Sequence, residues 1–330
     1  MDFLKSFKQR LNNFSSDEFE EMAITLFRYQ TAHNSVYRQY LEARNIAVTE
    51  IEAIEQIPFL PISFFKTHQI KTGNWESQHV FESSGTTGMT TSKHHVKNLV
   101  SYQKNTLRLF EGAYGAISDY HFLALLPSYL ERNSSSLVYM MDYFIKTRGS
   151  VHSGFYLNDT EQLVQTLEML KKDRAKKTIL VGVTFALLDL VAEHNLSFPD
   201  LIVMETGGMK GRRKEMIRAE VHELLQKGFN TKHIHSEYGM TELFSQAYAL
   251  SEGIFQESKT MKVLIRDVND PLTILENQVT GGVNIVDLAN IDSCAFIETQ
   301  DMGRKISEDT FEVLGRFDNS DIRGCSMLTV

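Results

Sequence analysis

The sequence predicts an α/β fold, with mixed, largely parallel sheets and a barrel-like or antiparallel part toward the C-terminal end. Three observations predict it. Short apolar runs alternate with helical periodicity through the middle of the chain, and the later apolar runs have no helices between them. Loops rich in Gly, Ser and Thr follow strand-like runs, where ligands collect in folds of this kind. At 330 residues and 42 % hydrophobic content the chain can build one large domain or two ordinary ones.

Phe19, Met22, Ala23, Leu26, Phe27 and Tyr29 recur at helical spacing, so helices occupy residues 17–44. The prolines of Ile57-Pro58-Phe59-Leu60-Pro61-Ile62 then force extended backbone. Buried strands are expected at 122–126, 179–183 and 201–204, with helices at 100–114, 135–146, 161–172, 185–194 and 213–226. A short strand-like run lies at 232–235. Strands at 263–265, 283–286 and 295–297 close the pattern.

A net charge of −8 argues against nucleic acid held through its phosphates, which needs clustered Lys and Arg in excess. The run Lys171, Lys172, Arg174, Lys176, Lys177 reads as a solvated helix end. The N-terminus lacks the charged, apolar and small-residue order of a secretory signal. The longest apolar stretch, 178–192, is too short to span a bilayer and contains Asp189, so a cytoplasmic protein without a membrane span is expected. The two cysteines, Cys294 and Cys325, have neither metal-ligand nor redox spacing, and Cys294 leads into an apolar run that marks it as core. His233 and His235 share a strand face but lack a third ligand, so a packed or pocket role for His235 is favoured over zinc.

Two loops carry chemistry. In Ser83-Ser84-Gly85-Thr86-Thr87-Gly88 the glycines allow close backbone approach and the hydroxyls offer donors, with Lys93 as a nearby cation, which suits a phosphate chain or a polar surface loop. It is not a Walker A loop. In Ser236-Glu237-Tyr238-Gly239-Met240-Thr241-Glu242 the Tyr238 ring suits a nucleobase, Thr241 a phosphate, and Glu242 a hard oxygen ligand for magnesium.

These loops, with Thr299-Gln300-Asp301 and Gly315-Arg316-Phe317-Asp318, resemble the signatures of the adenylate-forming superfamily of acyl-CoA synthetases, phenylacetate-CoA ligases and luciferases. Gln300 departs from the usual glycine. Within that superfamily the chain resembles the acyl-protein synthetases of bacterial luminescence, the fatty-acid reductase component. The likeness rests on Phe59-Leu60-Pro61-Ile62-Ser63-Phe64-Phe65-Lys66, Leu126-Pro127-Ser128-Tyr129-Leu130-Glu131-Arg132, Glu205-Thr206-Gly207-Gly208-Met209-Lys210-Gly211-Arg212 and residues 314–326.

The resemblance implies the superfamily's large N-terminal-type domain over residues 1–315, opening with helices, and a short tail over 316–330. The small C-terminal lid domain and its lysine would be absent, with Lys93 or Lys66 as a substitute cation. ATP and Mg2+ would be the cofactors. Ser83, Ser84, Gly85, Thr86, Thr87 and Gly88 would hold the β- and γ-phosphates, and Thr241 and Glu242 the α-phosphate and magnesium. Gly207, Gly208, Met209, Tyr238 and Gly239 would line the adenine and acyl pocket, and Asp301 and Arg316 would hold the ribose. Lys210, Arg212 and Arg213 would then lie near the nucleotide or face solvent. Apolar segments at 126–130, 183–185 and 204–209 would receive a fatty or otherwise apolar acid.

A carboxylate is a poor electrophile, so such an enzyme joins it to AMP before transferring the acyl group to a thiol. Cys325 matches the acylated cysteine of the luminescence enzymes and has Arg323 beside it to favour a thiolate. The alternatives are transfer to coenzyme A or a carrier protein, an acyltransferase step in surface-polysaccharide assembly, or a non-catalytic adenylate-binding partner protein. The sequence sets no oligomeric state.

Overall fold

The computed structural model describes residues 3–83, 90–127, 133–148, 150–207 and 216–317. The chain forms two compact units, Met1–Asn74 with Lys259–Val330, and Trp75–Ser258.

The first unit opens with helices α1 (Phe3–Asn13), α2 (Phe19–His33) and α3 (Ser35–Ala43), then a short strand β1 (Leu60–Pro61) and helix α4 (Phe64–Thr67). Asn34 ends α2 and caps α3, its side chain accepting the Tyr37 N–H at 3.0 Å. The second unit begins with the antiparallel pair β2 (His79–Glu82) and β3 (Lys93–Val96). Helix α5 (Leu99–Tyr114), β4 (Tyr120–Leu125), α6 (Ser136–Arg148), β5 (Gly154–Phe155), α7 (Thr160–Leu170), β6 (Lys177–Val183), α8 (Thr184–Glu193), β7 (Ile202–Thr206), α9 (Arg218–Phe229) and β8 (Ile234–Tyr238) follow. Strands β9 (Ala247–Ala249) and β10 (Ile254–Gln256) complete it. The chain then returns to the first unit as β11 (Met261–Arg266), β12 (Gly281–Asp287), β13 (Phe296–Lys305) and β14 (Thr310–Arg316).

In the second unit the strand order is β10-β9-β8-β7-β6-β4-β5. Strands β5, β4, β6, β7 and β8 run parallel, β9 runs antiparallel to β8, and β10 antiparallel to β9. That is the expected α/β alternation. Register puts Phe122, Val181, Met204 and His235 on one face of the sheet, where Phe110 and Tyr114 of α5 and Phe144 of α6 pack. Phe110 lies 5.3 Å from Phe122 and 5.2 Å from Phe144, centroid to centroid. Truncating such a ring to alanine costs about 3–5 kcal/mol. Helices α8 and α9 cover the other face: a Cβ at Gly182 would stand 2.8 Å from Leu187 Cγ of α8. Helix α5 starts at Asn98, whose side chain accepts the Ser101 N–H, and stops at Gly115 with φ +86°.

In the first unit β11, β12, β13 and β14 form an antiparallel sheet, with β1 parallel to the start of β13. The late strands therefore pair antiparallel, as the missing helices implied. Cys294 is buried, as its apolar neighbourhood predicted. Among the described residues no helix is long and apolar enough to cross a membrane.

Candidate functional site

Strands β4, β6, β7 and β8 lie side by side and parallel, so Leu126, Val183, Thr206 and Tyr238 fall at one end of a parallel sheet. Leu126, Val183, Thr184, Met204 and Thr206 are buried there. Gly207 leaves β7 with φ +70°, a conformation that suits glycine, and its carbonyl accepts the Thr184 hydroxyl. Gly208, Met209 and the basic residues 210–214 lie outside the described residues.

The Ser/Thr/Gly loop joins β2 to β3. Ser84, Gly85, Thr86, Thr87 and Gly88 lie outside the described residues. Ser83 and Ser92 close the neck of the loop: the Ser83 N–H donates to the Ser92 carbonyl at 3.1 Å, and the Ser83 hydroxyl accepts the Ser92 N–H at 2.9 Å. Lys93 sits opposite Glu82 across the hairpin, with Nζ 3.8 Å from its carboxylate, and remains exposed. The next residue, His94, is fully buried. Its Nδ1 is 2.8 Å from the Thr241 carbonyl, so that nitrogen carries the proton and donates. One strand thus links the base of the Ser/Thr/Gly loop to the Thr241 turn.

The second motif differs from its predicted setting. The strand expected to end at His235 continues through Ser236, Glu237 and Tyr238. It can do so because the polar side chains find partners inward: Ser236 donates to the Glu205 carboxylate at 2.7 Å. Tyr238 is buried with its ring 5.7 Å from Phe255. Gly239 follows the strand, Thr241 and Glu242 form the turn beyond it, and Glu242 is buried.

Glu205 was not among the predicted site residues. Its buried carboxylate takes hydrogen bonds from Thr184 at 3.0 Å and Ser236 at 2.7 Å, with Arg218 Nε at 3.5 Å and His222 Nε2 at 3.7 Å. Burial alone would raise its pKa, but His222, Arg218 and Ser236 together hold it below the usual carboxylate range. It clamps the ends of β6, β7 and β8. A lone acidic residue at the end of an apolar strand run is the signal that could have found it.

In the first unit Asp301 on β13 and Arg316 on β14 are direct cross-strand partners, with Nε 3.4 Å from the carboxylate. Two signatures read from separate segments are brought side by side. Thr299-Gln300-Asp301 is extended strand, a conformation glutamine adopts without strain, and the Gln300 carbonyl accepts the Phe317 N–H at 2.8 Å. Cys325 and Asp318 lie outside the described residues.

His235 packs as expected, with Nδ1 3.1 Å from the Tyr114 hydroxyl, and burial, helped by His233, pushes its pKa down to about 4. Among the described residues no three His, Cys, Asp or Glu side chains gather as a metal site.

No protein-family model and no curated protein matches the sequence. By structure the chain has an α/β fold shared with solved ligase structures. It is similar to ATP-bound MatB from Rhodopseudomonas palustris, at 15% identity and a TM-score of 0.54, over 72% of this chain and 47% of that one. It is also similar to 2-hydroxyisobutyryl-CoA ligase in complex with 2-HIB-AMP and CoA, at 13% identity and a TM-score of 0.68, over 94% of this chain and 71% of that one. An open conformation of the same ligase gives 12% identity and a TM-score of 0.64, over 91% and 69%. The chain spans about half the length of MatB, and at these identities the likeness is one of fold.

Proposed function

We propose that this chain activates a carboxylic acid with ATP, forming an acyl-adenylate, and passes the acyl group to a thiol. The observation that supports this reading most is the pairing of Asp301 with Arg316, a carboxylate and a guanidinium suited to ribose hydroxyls and set by strand register. The tie from His94 to the Thr241 turn is independent support, since it links two segments assigned to phosphate. The fold shared with a ligase solved with an acyl-AMP and with an ATP-bound protein agrees with it.

The acid's carboxylate attacks the α-phosphorus and pyrophosphate leaves. The nucleophile is already ionised, so no general base is needed and the protein's task is alignment and charge neutralisation. We assign the β- and γ-phosphates to residues 83–88, with Lys93 as nearby cation, and the α-phosphate to Thr241. Adenine goes to Tyr238, Gly239 and the Gly207-Gly208-Met209 segment, and ribose to Asp301 and Arg316. Magnesium bound to a nucleotide takes only one or two carboxylates from protein, so Glu242 suffices as its ligand.

Two acceptors remain in play. Cys325 would take the acyl group as a thioester in the manner of the luminescence synthetases, with a carrier or reductase protein downstream. External coenzyme A is the second reading, favoured by the neighbour crystallised with CoA.

Acid-dependent exchange of pyrophosphate into ATP tests the first half. Exchange with at least one acid of a broad panel is expected, and none with any acid refutes the proposal. Asp301→Asn should raise the KM for ATP about tenfold, the loss of a charged hydrogen bond. Intact mass after incubation with ATP and acid tests the second half. An adduct that survives Cys325→Ser excludes that cysteine.

A further inference from the structure

At the end of β8, on the sheet face that packs against α5, Glu237 stands between Thr206 of β7 and Tyr248 of β9, its direct partners by register. Two further facts mark this spot. The Tyr248 hydroxyl is buried and has no hydrogen-bond partner, and the same is true of Oε1 of Gln246. Tyr248 is 5% exposed and Gln246 3%. The Glu237 carboxyl and Gln246 border one point: a Cβ built on Gly239 would lie 2.4 Å from Glu237 Oε1 and 3.3 Å from Gln246 Cγ.

The Glu237 side chain is half-buried, and among the described residues no hydrogen-bond donor or cation is paired with its carboxyl. Buried polar groups are nearly always satisfied, and each orphan costs about 1–3 kcal/mol. Two of them, Gln246 Oε1 and the Tyr248 hydroxyl, beside the Glu237 carboxyl at the ligand end of a parallel sheet call for a ligand group. The unmet demand has a definite chemistry. Glu237 once ionised and Gln246 Oε1 are acceptors, and the Tyr248 hydroxyl accepts or donates. A hydroxyl brings one hydrogen, an alkyl chain none. A primary ammonium brings three and also the positive charge that Glu237 lacks.

We propose that Glu237, Gln246 and Tyr248 form a receptor for a primary ammonium group on the acid being activated, so that the substrate is an amino-substituted carboxylic acid. This rests on the acid-activation reading and replaces the unsubstituted fatty acid within it. Burial, with the Glu205 carboxylate as a second cause, pushes the pKa of Glu237 up to about 8. An ammonium seated there lowers that pKa again, the carboxyl proton leaves to solvent, and an ion pair remains. Gly239 keeps that corner open, since a side chain there would displace the carboxyl.

The test is pyrophosphate exchange with four acids of matched length: caproate, ω-hydroxycaproate, ε-aminocaproate and norleucine. One of the two amino acids should exceed caproate in kcat/KM by roughly 100-fold or more, as expected where a site is built to hydrogen-bond a substrate group. In Glu237→Gln that ratio should collapse toward one. Caproate equal to or better than both amino acids overturns the ammonium receptor while leaving acid activation standing. Exchange with none of the four, when a wider panel succeeds, also overturns the receptor, and failure of the whole panel sinks both. Far-ultraviolet circular dichroism and a Glu237→Asp variant, expected to retain part of the preference, separate lost recognition from lost folding. A ratio unchanged in a folded Glu237→Gln protein also rejects the proposal.

Discussion

Replacing Glu237 with glutamine should stabilise the protein, and only at alkaline pH. Burial raises this carboxyl from 4.5 to about 8. Between those values the folded chain holds a proton that the unfolded chain releases, so stability falls as pH rises through that window. At about 1.4 kcal/mol per pH unit the interval integrates to roughly 5 kcal/mol, fully expressed above about pH 8 and absent below about pH 4.5. Glutamine copies the neutral carboxyl in shape and does not titrate. The difference in unfolding free energy between Glu237→Gln and the parent should therefore be near zero around pH 5 and climb to several kcal/mol by about pH 9. Urea unfolding of both proteins across that range, followed by circular dichroism, measures it, and subtraction removes every group the two share. A difference that does not change with pH refutes the reasoning.

His235 supplies the opposite slope. Its pKa is lowered from 6.5 to about 4, so stability is lost as pH falls through that window, by up to roughly 3 kcal/mol, and His235→Gln should flatten the acid limb of the stability profile. Cys294 is fully buried, which pushes its thiol up to about 12, so peptide mapping after iodoacetamide treatment of the folded protein should find it unmodified. Gly281→Ala would set a Cβ 2.2 Å from the Arg266 carbonyl oxygen and should cost about 1–3 kcal/mol in thermal unfolding. His94→Ala removes the 2.8 Å bond to the Thr241 carbonyl and should slow pyrophosphate exchange about tenfold, whereas an unchanged rate would separate that turn from catalysis.

The elements that periodicity revealed are those whose burial is apolar. Strands β4 and β6 declare themselves because their buried residues are mostly Phe, Leu, Ile and Val. The hairpin β2–β3 went unread because three of the four residues of β3, Lys93–Val96, are polar, and its burial is paid for by His94 bonding to a carbonyl almost 150 residues away. Ser236 to Tyr238 looked like a loop for the same reason, since the sequence could not show that Glu205 waits for the Ser236 hydroxyl. Asp301 and Arg316 were legible as separate signatures. Their contact was not, because it depends on the register of β13 against β14 and on the bulge at Met302/Gly303.

Glu205 and Glu237 show how far such hidden partners decide chemistry. They sit on neighbouring strands one register step apart, Glu205 opposite Ser236 and Thr206 opposite Glu237, and therefore on opposite faces of one sheet. Glu205 is buried and Glu237 half-buried. Facing α9, Glu205 meets Arg218, His222 and two hydroxyls, and stays ionised. Facing α5, Glu237 meets the rings of Tyr114 and Tyr248, with no cation among the described residues, and keeps its proton. A structural carboxylate brings its counter-charges from the fold itself, as Glu205 does. Among the described residues Glu237 has none, and beside it the Gln246 Oε1 acceptor and the Tyr248 hydroxyl, which donates or accepts, are unmet. Among the described residues the charge missing beside Glu237 is positive, and that deficit is the reason to look for it on the substrate.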